Sequence, residues 1–73
     1  MKTNRELKQI AVTALNVEYG FSPKQSEIVL QEARDDGTYI LFCVANSTYR
    51  FDSSIVDKYG AVWAGKGTIT KIA

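Results

Sequence analysis

Between Arg34 and Phe51 two turn signals stand a short strand's length apart, and their spacing admits few folds. In Asp35-Asp36-Gly37 a glycine follows two aspartates, which suits a three-residue hairpin loop with Gly37 in the left-handed position. That loop sets Arg34 opposite Thr38, Leu30 opposite Phe42 and Ile28 opposite Val44. Asn46-Ser47 is the second signal, read as a two-residue hairpin turn that sets Val44 opposite Tyr49 and Phe42 opposite Phe51. The two turns are chosen independently. Together they place Ile28, Leu30, Ile40, Phe42, Val44, Tyr49 and Phe51 on one face of a three-stranded meander. A one-residue slip in either turn would scatter that set, so the agreement of turn chemistry with side-chain alternation supports the assignment.

Such a face requires a cover, and the N-terminal segment provides one. Thr3-Asn4-Arg5-Glu6 is a capping box, in which the Thr3 hydroxyl and the Glu6 carboxylate each accept from the other residue's amide. Leu7, Ile10, Ala11, Ala14 and Leu15 follow at the spacing of one helical face, and Gly20 suits the position just past a helix end. The expected helix runs from about Asn4 to Tyr19. Ser22-Pro23 is a second helix-start signal, so residues 23–34 read either as a helix or as the first strand, with the hairpin signal favouring the strand. After Phe51 the pattern weakens. Residues 53–60 suggest one helical turn capped by Ser53 or Ser54 and ended by Gly60, and residues 67–73 a short final strand at an edge. The predicted class is α+β: an N-terminal helix packed on a three- to four-stranded antiparallel sheet, in the order α-β-β-β, short helical turn, final β.

With 73 residues the chain has room for one small domain, 1–73, and one core layer. Its net charge of +1 offers no general attraction to nucleic acid or anionic lipid, but the charge is uneven along the chain. Lys2, Arg5 and Lys8 face only Glu6 at the start, and Lys58, Lys66 and Lys71 meet no acid from residue 58 onward. If the two ends meet in space, they make a small basic area. The first residues carry charges throughout and lack a signal-peptide core. The longest apolar run, 39–45, is too short to span a bilayer as a helix. The expectation is a cytoplasmic protein with no membrane association.

Catalytic chemistry finds little to use. There is no histidine, and Cys43 is the single cysteine, so an internal disulfide and a cysteine-built metal site are both excluded. A catalytic thiol wants a base or a helix N-terminus beside it, and Cys43 is expected mid-strand as a small apolar filler. Asp35 and Asp36 are adjacent in a proposed turn, where aspartate serves the backbone. Gly60 to Thr68 has the glycine and Gly-Lys spacing of a phosphate-binding loop. Gly67, however, stands where the magnesium-binding Ser or Thr belongs, and too little chain follows for the helix such a loop must open. Gly65 to Gly67 is read instead as a tight turn into the last strand, with Lys66 at its exposed tip. No catalytic residue, metal ligand or cofactor is expected.

The face of the sheet away from the helix is the informative oddity. It is read to carry Val29, Ala33, Tyr39, Leu41, Cys43 and Ala45 among Gln31, Thr48 and Arg50, more apolar than an open antiparallel face usually is. Two explanations stand. Either the C-terminal segment with Ile55, Val56, Tyr59, Val62 and Trp63 folds over it, or it is a contact surface for another subunit or partner. The expected function is a small non-enzymatic protein-interaction module, such as an adaptor, inhibitor or assembly subunit, acting through a sheet face or edge. Tyr39, Leu41, Arg50 and Trp63 are its candidate contact residues, and a protein partner or self-association its expected mode. The alternative is weak nucleic-acid binding by the Lys-bearing termini. Tyr39 and Arg50 alone make a poor base-stacking platform, and no RNP-type string is present.

Overall fold

A computed structural model describes all residues, Met1–Ala73. One helix, α1 (Asn4–Tyr19), is followed by a single 3₁₀ turn (Gln25–Glu27) and four strands: β1 (Val29–Ala33), β2 (Tyr39–Val44), β3 (Ser47–Asp52) and β4 (Ile69–Lys71). The strands form one antiparallel sheet in the order β1-β2-β3-β4, so the predicted α+β class is observed, with the short final strand at an edge.

Local signals set the ends of α1. The Glu6 amide donates to Thr3 Oγ1 at 3.2 Å and the Thr3 amide to Glu6 Oε1 at 3.0 Å, closing the capping box. The Thr3 amide, and then its side chain, hold the Glu6 carboxyl below the usual glutamate range. At the other end Gly20 takes φ 69° and its amide donates to the Asn16 carbonyl at 2.9 Å, a conformation that glycine adopts without a Cβ penalty. Leu7, Ala11, Ala14 and Leu15 are buried against the sheet. The two alanines, flush with the backbone, let the helix lie close to it.

The Ser22-Pro23 signal yields only the one 3₁₀ turn, which starts two residues later than read. The Lys24 amide donates to Glu27 Oε1 at 2.9 Å, and by Ile28 the backbone is already extended. The strand reading of the following residues holds. The only helical turn outside α1 therefore precedes β1, and none lies between β3 and β4.

The first hairpin departs from the expected register near its turn. The Arg34 amide donates to the Tyr39 carbonyl, not to Thr38, because the loop is one residue longer than read. Asp36 Oδ1 accepts from both the amide (3.0 Å) and the hydroxyl (2.6 Å) of Thr38 and so holds Thr38 inside the loop. A bulge at Gln31 absorbs the slip: Ala33 pairs with Ile40 and Glu32 with Leu41, yet Leu30 pairs with Phe42 as expected. Ala33 consequently turns to the core face, not to the outer one.

The second turn is Ala45-Asn46, with φ of 52° and 61°, in place of Asn46-Ser47. Val44 pairs with Ser47, Phe42 with Tyr49 and Ile40 with Phe51. The shift is two residues, so parity, and with it the face of every side chain, is preserved. Large apolar side chains still pair in two rows, and Phe42 now stacks on Tyr49 with centroids 5.6 Å apart. Left-handed backbone at a residue such as Ala45 costs about 1–2 kcal/mol. Replacing Ala45-Asn46 by Asn-Gly, the preferred pair for this turn, is therefore expected to raise stability by about 1 kcal/mol. Urea denaturation monitored by circular dichroism reads this directly, and an unchanged midpoint would contradict the strain assigned to Ala45.

Residues 53–67 form a small irregular hairpin where the helical turn was expected. Val56 bridges Val62, the Trp63 amide donates to the Ile55 carbonyl, and Asp57 Oδ1 accepts from the amides of Tyr59 and Ala61 at 2.8 and 2.9 Å. Asp57 thus organises a loop, and Gly60, with φ 83°, turns the chain back instead of ending a helix. The segment runs beside α1. Ala61, Val62 and Ala64 share a groove with Gln9, Ile10 and Thr13, and near the helix end Glu18 accepts from the Gly67 amide at 2.8 Å and pairs with Lys66 at 3.7 Å. Val62 and Ala64 pack on the core cluster around Phe42, Phe51, Leu15, Ile28 and Ile40. Helix and segment together make one layer over one face of the sheet.

Candidate functional site

The other face of the sheet receives no such layer. In β2 the buried Ile40, Phe42 and Val44 alternate with the half-buried Tyr39, Leu41 and Cys43, which project outward. On β3 the outward positions are Thr48, Arg50 and Asp52, opposite Cys43, Leu41 and Tyr39 respectively. On β1 Val29 lies opposite Cys43 and Glu32 opposite Leu41. Arg34, just past β1, lays its guanidinium over the Tyr39 ring, 5.9 Å from the centroid. Val29 is 62% exposed, and Glu32, Arg34, Arg50 and Asp52 are all exposed.

The expectation that the C-terminal segment folds over this face is corrected here. Its inward side chains pack beside Ile10 on the helix side, because Val62 and Ala64 complete the gap that one helix leaves over the sheet. Of the four candidate contact residues, the structure unites three: Tyr39, Leu41 and Arg50 share the open face, with Leu41 directly opposite Arg50. Trp63 belongs to the helix-side layer. It is 48% exposed there and sits against Gly65, in a neighbourhood with Ile55 and Val56. Glu32, Arg34 and Asp52 are additional members that the sequence reading did not single out. Asp52 follows from Arg50 by alternation alone. Glu32 does not, since its position depends on the bulge.

The Lys-bearing segments meet where Tyr59 and Gly60 line a hollow with Met1 and Lys2, but the chain termini themselves lie apart. The Lys2 amide donates to the Asp35 carbonyl at the β1–β2 loop, whereas the Thr48 amide donates to the Ala73 carbonyl beside the β2–β3 turn. Those points lie at opposite ends of the six-residue strand β2, about 20 Å apart. Lys2 also lines that hollow with Asp35 and Asp36, and its charge acts on the Glu6 carboxylate.

Cys43 contacts Gln31 Nε2 at 2.9 Å and Thr48 Oγ1 at 3.3 Å. Neither partner is a base that activates a thiol. Thr38, through its hydroxyl and then its amide, holds the Asp36 carboxyl below the usual aspartate range, which is the wrong direction for a general acid at neutral pH. In the Gly65–Thr68 stretch the Thr68 amide and hydroxyl both donate to the Gly65 carbonyl, at 3.2 and 2.6 Å, closing a tight turn into β4. No helix of the chain is long and apolar enough to cross a membrane. No protein-family model, curated protein or solved structure matches the chain.

Proposed function

We propose that this chain is a small, non-enzymatic protein-interaction module that works through the open face of its sheet. The observation that carries this reading is the outward row of β2. Tyr39, Leu41 and Cys43 form an apolar strip that the chain's own helix and C-terminal segment leave uncovered, and charged side chains rim it on both sides. An apolar centre inside a polar rim is the usual anatomy of a protein interface. Tyr39 and Arg50 are of the residue types that most often anchor one. The nucleic-acid alternative has less behind it, because acids accompany the lysines: Lys66 pairs with Glu18, and Lys2 shares its hollow with Glu6, Asp35 and Asp36.

The test is capture of binding proteins from native lysate by the tagged chain, with and without nuclease, using wild type, Leu41→Glu, Arg50→Glu and Trp63→Ala. A protein that survives nuclease, is lost or weakened about tenfold or more by Leu41→Glu and Arg50→Glu, and is retained by Trp63→Ala is the expected result. Retention by both face variants, each confirmed as folded by circular dichroism, would remove the sheet face from the site. Recovery of nucleic acid, with its associated proteins lost on digestion, would replace this reading by the nucleic-acid one.

A further inference from the structure

The charges that rim the open face alternate in sign in a pattern that selects one kind of partner. One row across the sheet reads Glu32, Leu41, Arg50: negative, apolar, positive. The next row reads Arg34, Tyr39, Asp52: positive, aromatic, negative. None of these four charged side chains forms an ion pair within the chain, whose one salt bridge joins Lys66 to Glu18. β2 is thus an apolar seam with opposite charges on its two flanks, reversed in sign from one row to the next.

From this pattern we infer that the occupant of the face is a second copy of this chain, packed face to face about a two-fold axis along β2. The inference rests on the proposed interaction role of the face. Rotation about that axis brings the β1 flank of one copy over the β3 flank of the other. Glu32 then meets the second copy's Arg50, and Arg34 meets its Asp52. Each contact occurs twice, as an isologous interface requires. Tyr39 and Leu41 meet their own counterparts along the seam. A two-fold axis across the strands also pairs opposite charges, but it carries the Val29–Cys43 row beyond the edge of the other copy and leaves that apolar surface uncovered.

The geometry tolerates the twist of real sheets. Aligned sheets cross at about 30°, and a flanking strand lies about 5 Å from the seam, so a side chain there shifts by roughly 2.5 Å, within reach of Arg and Glu. With the axis on β2 the strands β1–β3 of the two copies overlap and β4 extends past the edge, so the overlap measures about 20 Å along the strands and about 15 Å across them, roughly 300 Å² per copy. That is well below the roughly 800 Å² per partner of a standard stable interface. An overlap that small belongs with weak, reversible contacts, for which area sets no single affinity, and dissociation constants on the order of 10 μM to 1 mM are the range to search. Added salt loosens the dimer further, because its specificity is carried by exposed charges.

Sedimentation velocity over a concentration series, up to about 1 mM to cover that range, tests the assignment on four proteins: wild type, Glu32→Arg, Arg50→Glu and the double variant. Wild type is expected to dimerise, and each single charge reversal to weaken the dimer about tenfold or more. The double variant regains wild-type association. An equimolar mixture of the two single variants also regains it, as a heterodimer, since every charged contact between them is again opposite in sign. A wild-type chain that stays monomeric across the series overturns the second-copy assignment and leaves the face open to a different protein. A dimer indifferent to both reversals shows association through another surface, and it overturns this assignment together with the role given to the open face. Restoration in the double variant but not in the mixture overturns the axis along β2.

Discussion

Truncating Phe42 to alanine is expected to lower the stability of this chain by about 3–5 kcal/mol. Phe42 is fully buried at the centre of the sheet, between Leu30 on β1 and Tyr49 on β3, and its ring stacks on Tyr49. Removing the ring forfeits its transfer from water and leaves a cavity that a helix seated on Ala11 and Ala14 is poorly able to fill. A domain of 73 residues has a total stability of about 4–11 kcal/mol, so the loss takes at least a quarter of it. One residue back along β2, Leu41→Ala is expected to cost less than about 1 kcal/mol, because Leu41 lies on the uncovered face. Urea denaturation of both variants, at concentrations too low for self-association, measures the contrast. Equal losses from the two would mean that the outer face is packed by the chain itself, and the proposed interface would have no surface to use.

That contrast also shows which parts of the fold were legible in the sequence. Local signals carried α1 almost entirely: Thr3, Glu6 and Gly20 act within a turn of their own positions, and the Leu7–Leu15 stripe repeats at the helical period. The sheet faces were legible for a different reason. Alternation fixes the parity of a strand even when the turn is misplaced, so reading Asn46-Ser47 for Ala45-Asn46 changed every partner on β3 but moved no side chain to the wrong face. The slip at the first turn was odd, and there the reading failed locally. Ala33 went to the wrong face, because nothing in Leu30-Gln31-Glu32 announces a bulge.

Longer-range packing decided the remainder. Ser53 and Ser54 resemble helix caps, but Ser53 is buried, its amide donates to the Thr38 carbonyl, and the chain beyond it is drawn along α1 by Val62 and Ala64. The candidate site divides along the same line. Tyr39, Leu41 and Arg50 follow from alternation about Phe42 and Phe51. Trp63 could be placed only by knowing which side of the sheet its neighbours cover, and that is set by the packing of Val62 and Ala64 on the core, across a groove from Ile10 and Thr13. Glu32 and Asp52 became part of an argument only when the register set them in rows with Leu41 and Tyr39.

The place of Trp63 in the helix-side layer leads to the second large effect. Gly65 is buried, and a Cβ built on it would overlap Cζ2, Cε2 and Cη2 on the benzo edge of the Trp63 indole. The ring therefore lies directly on the Gly65 backbone, and glycine is required there for close approach, not for a special φ. Gly65→Ala forces the indole off this seat. The ring is already about half exposed, so it has solvent to swing into, at the loss of its contact with the turn that leads to β4. The expected cost is about 1–3 kcal/mol, as for an added methyl in a filled site. Because Trp63 is the only tryptophan, its fluorescence reports the event without interference. The emission maximum of the folded variant should move to the red, toward that of the urea-unfolded chain, and the urea midpoint should fall. Trp63→Ala in the same background separates the two consequences. With the ring absent the added methyl meets no obstacle, so Gly65→Ala should cost clearly less on top of Trp63→Ala than it does alone. Equal costs in the two backgrounds would show that Gly65 is needed for something other than the indole, and the seat assigned to Trp63 would be wrong.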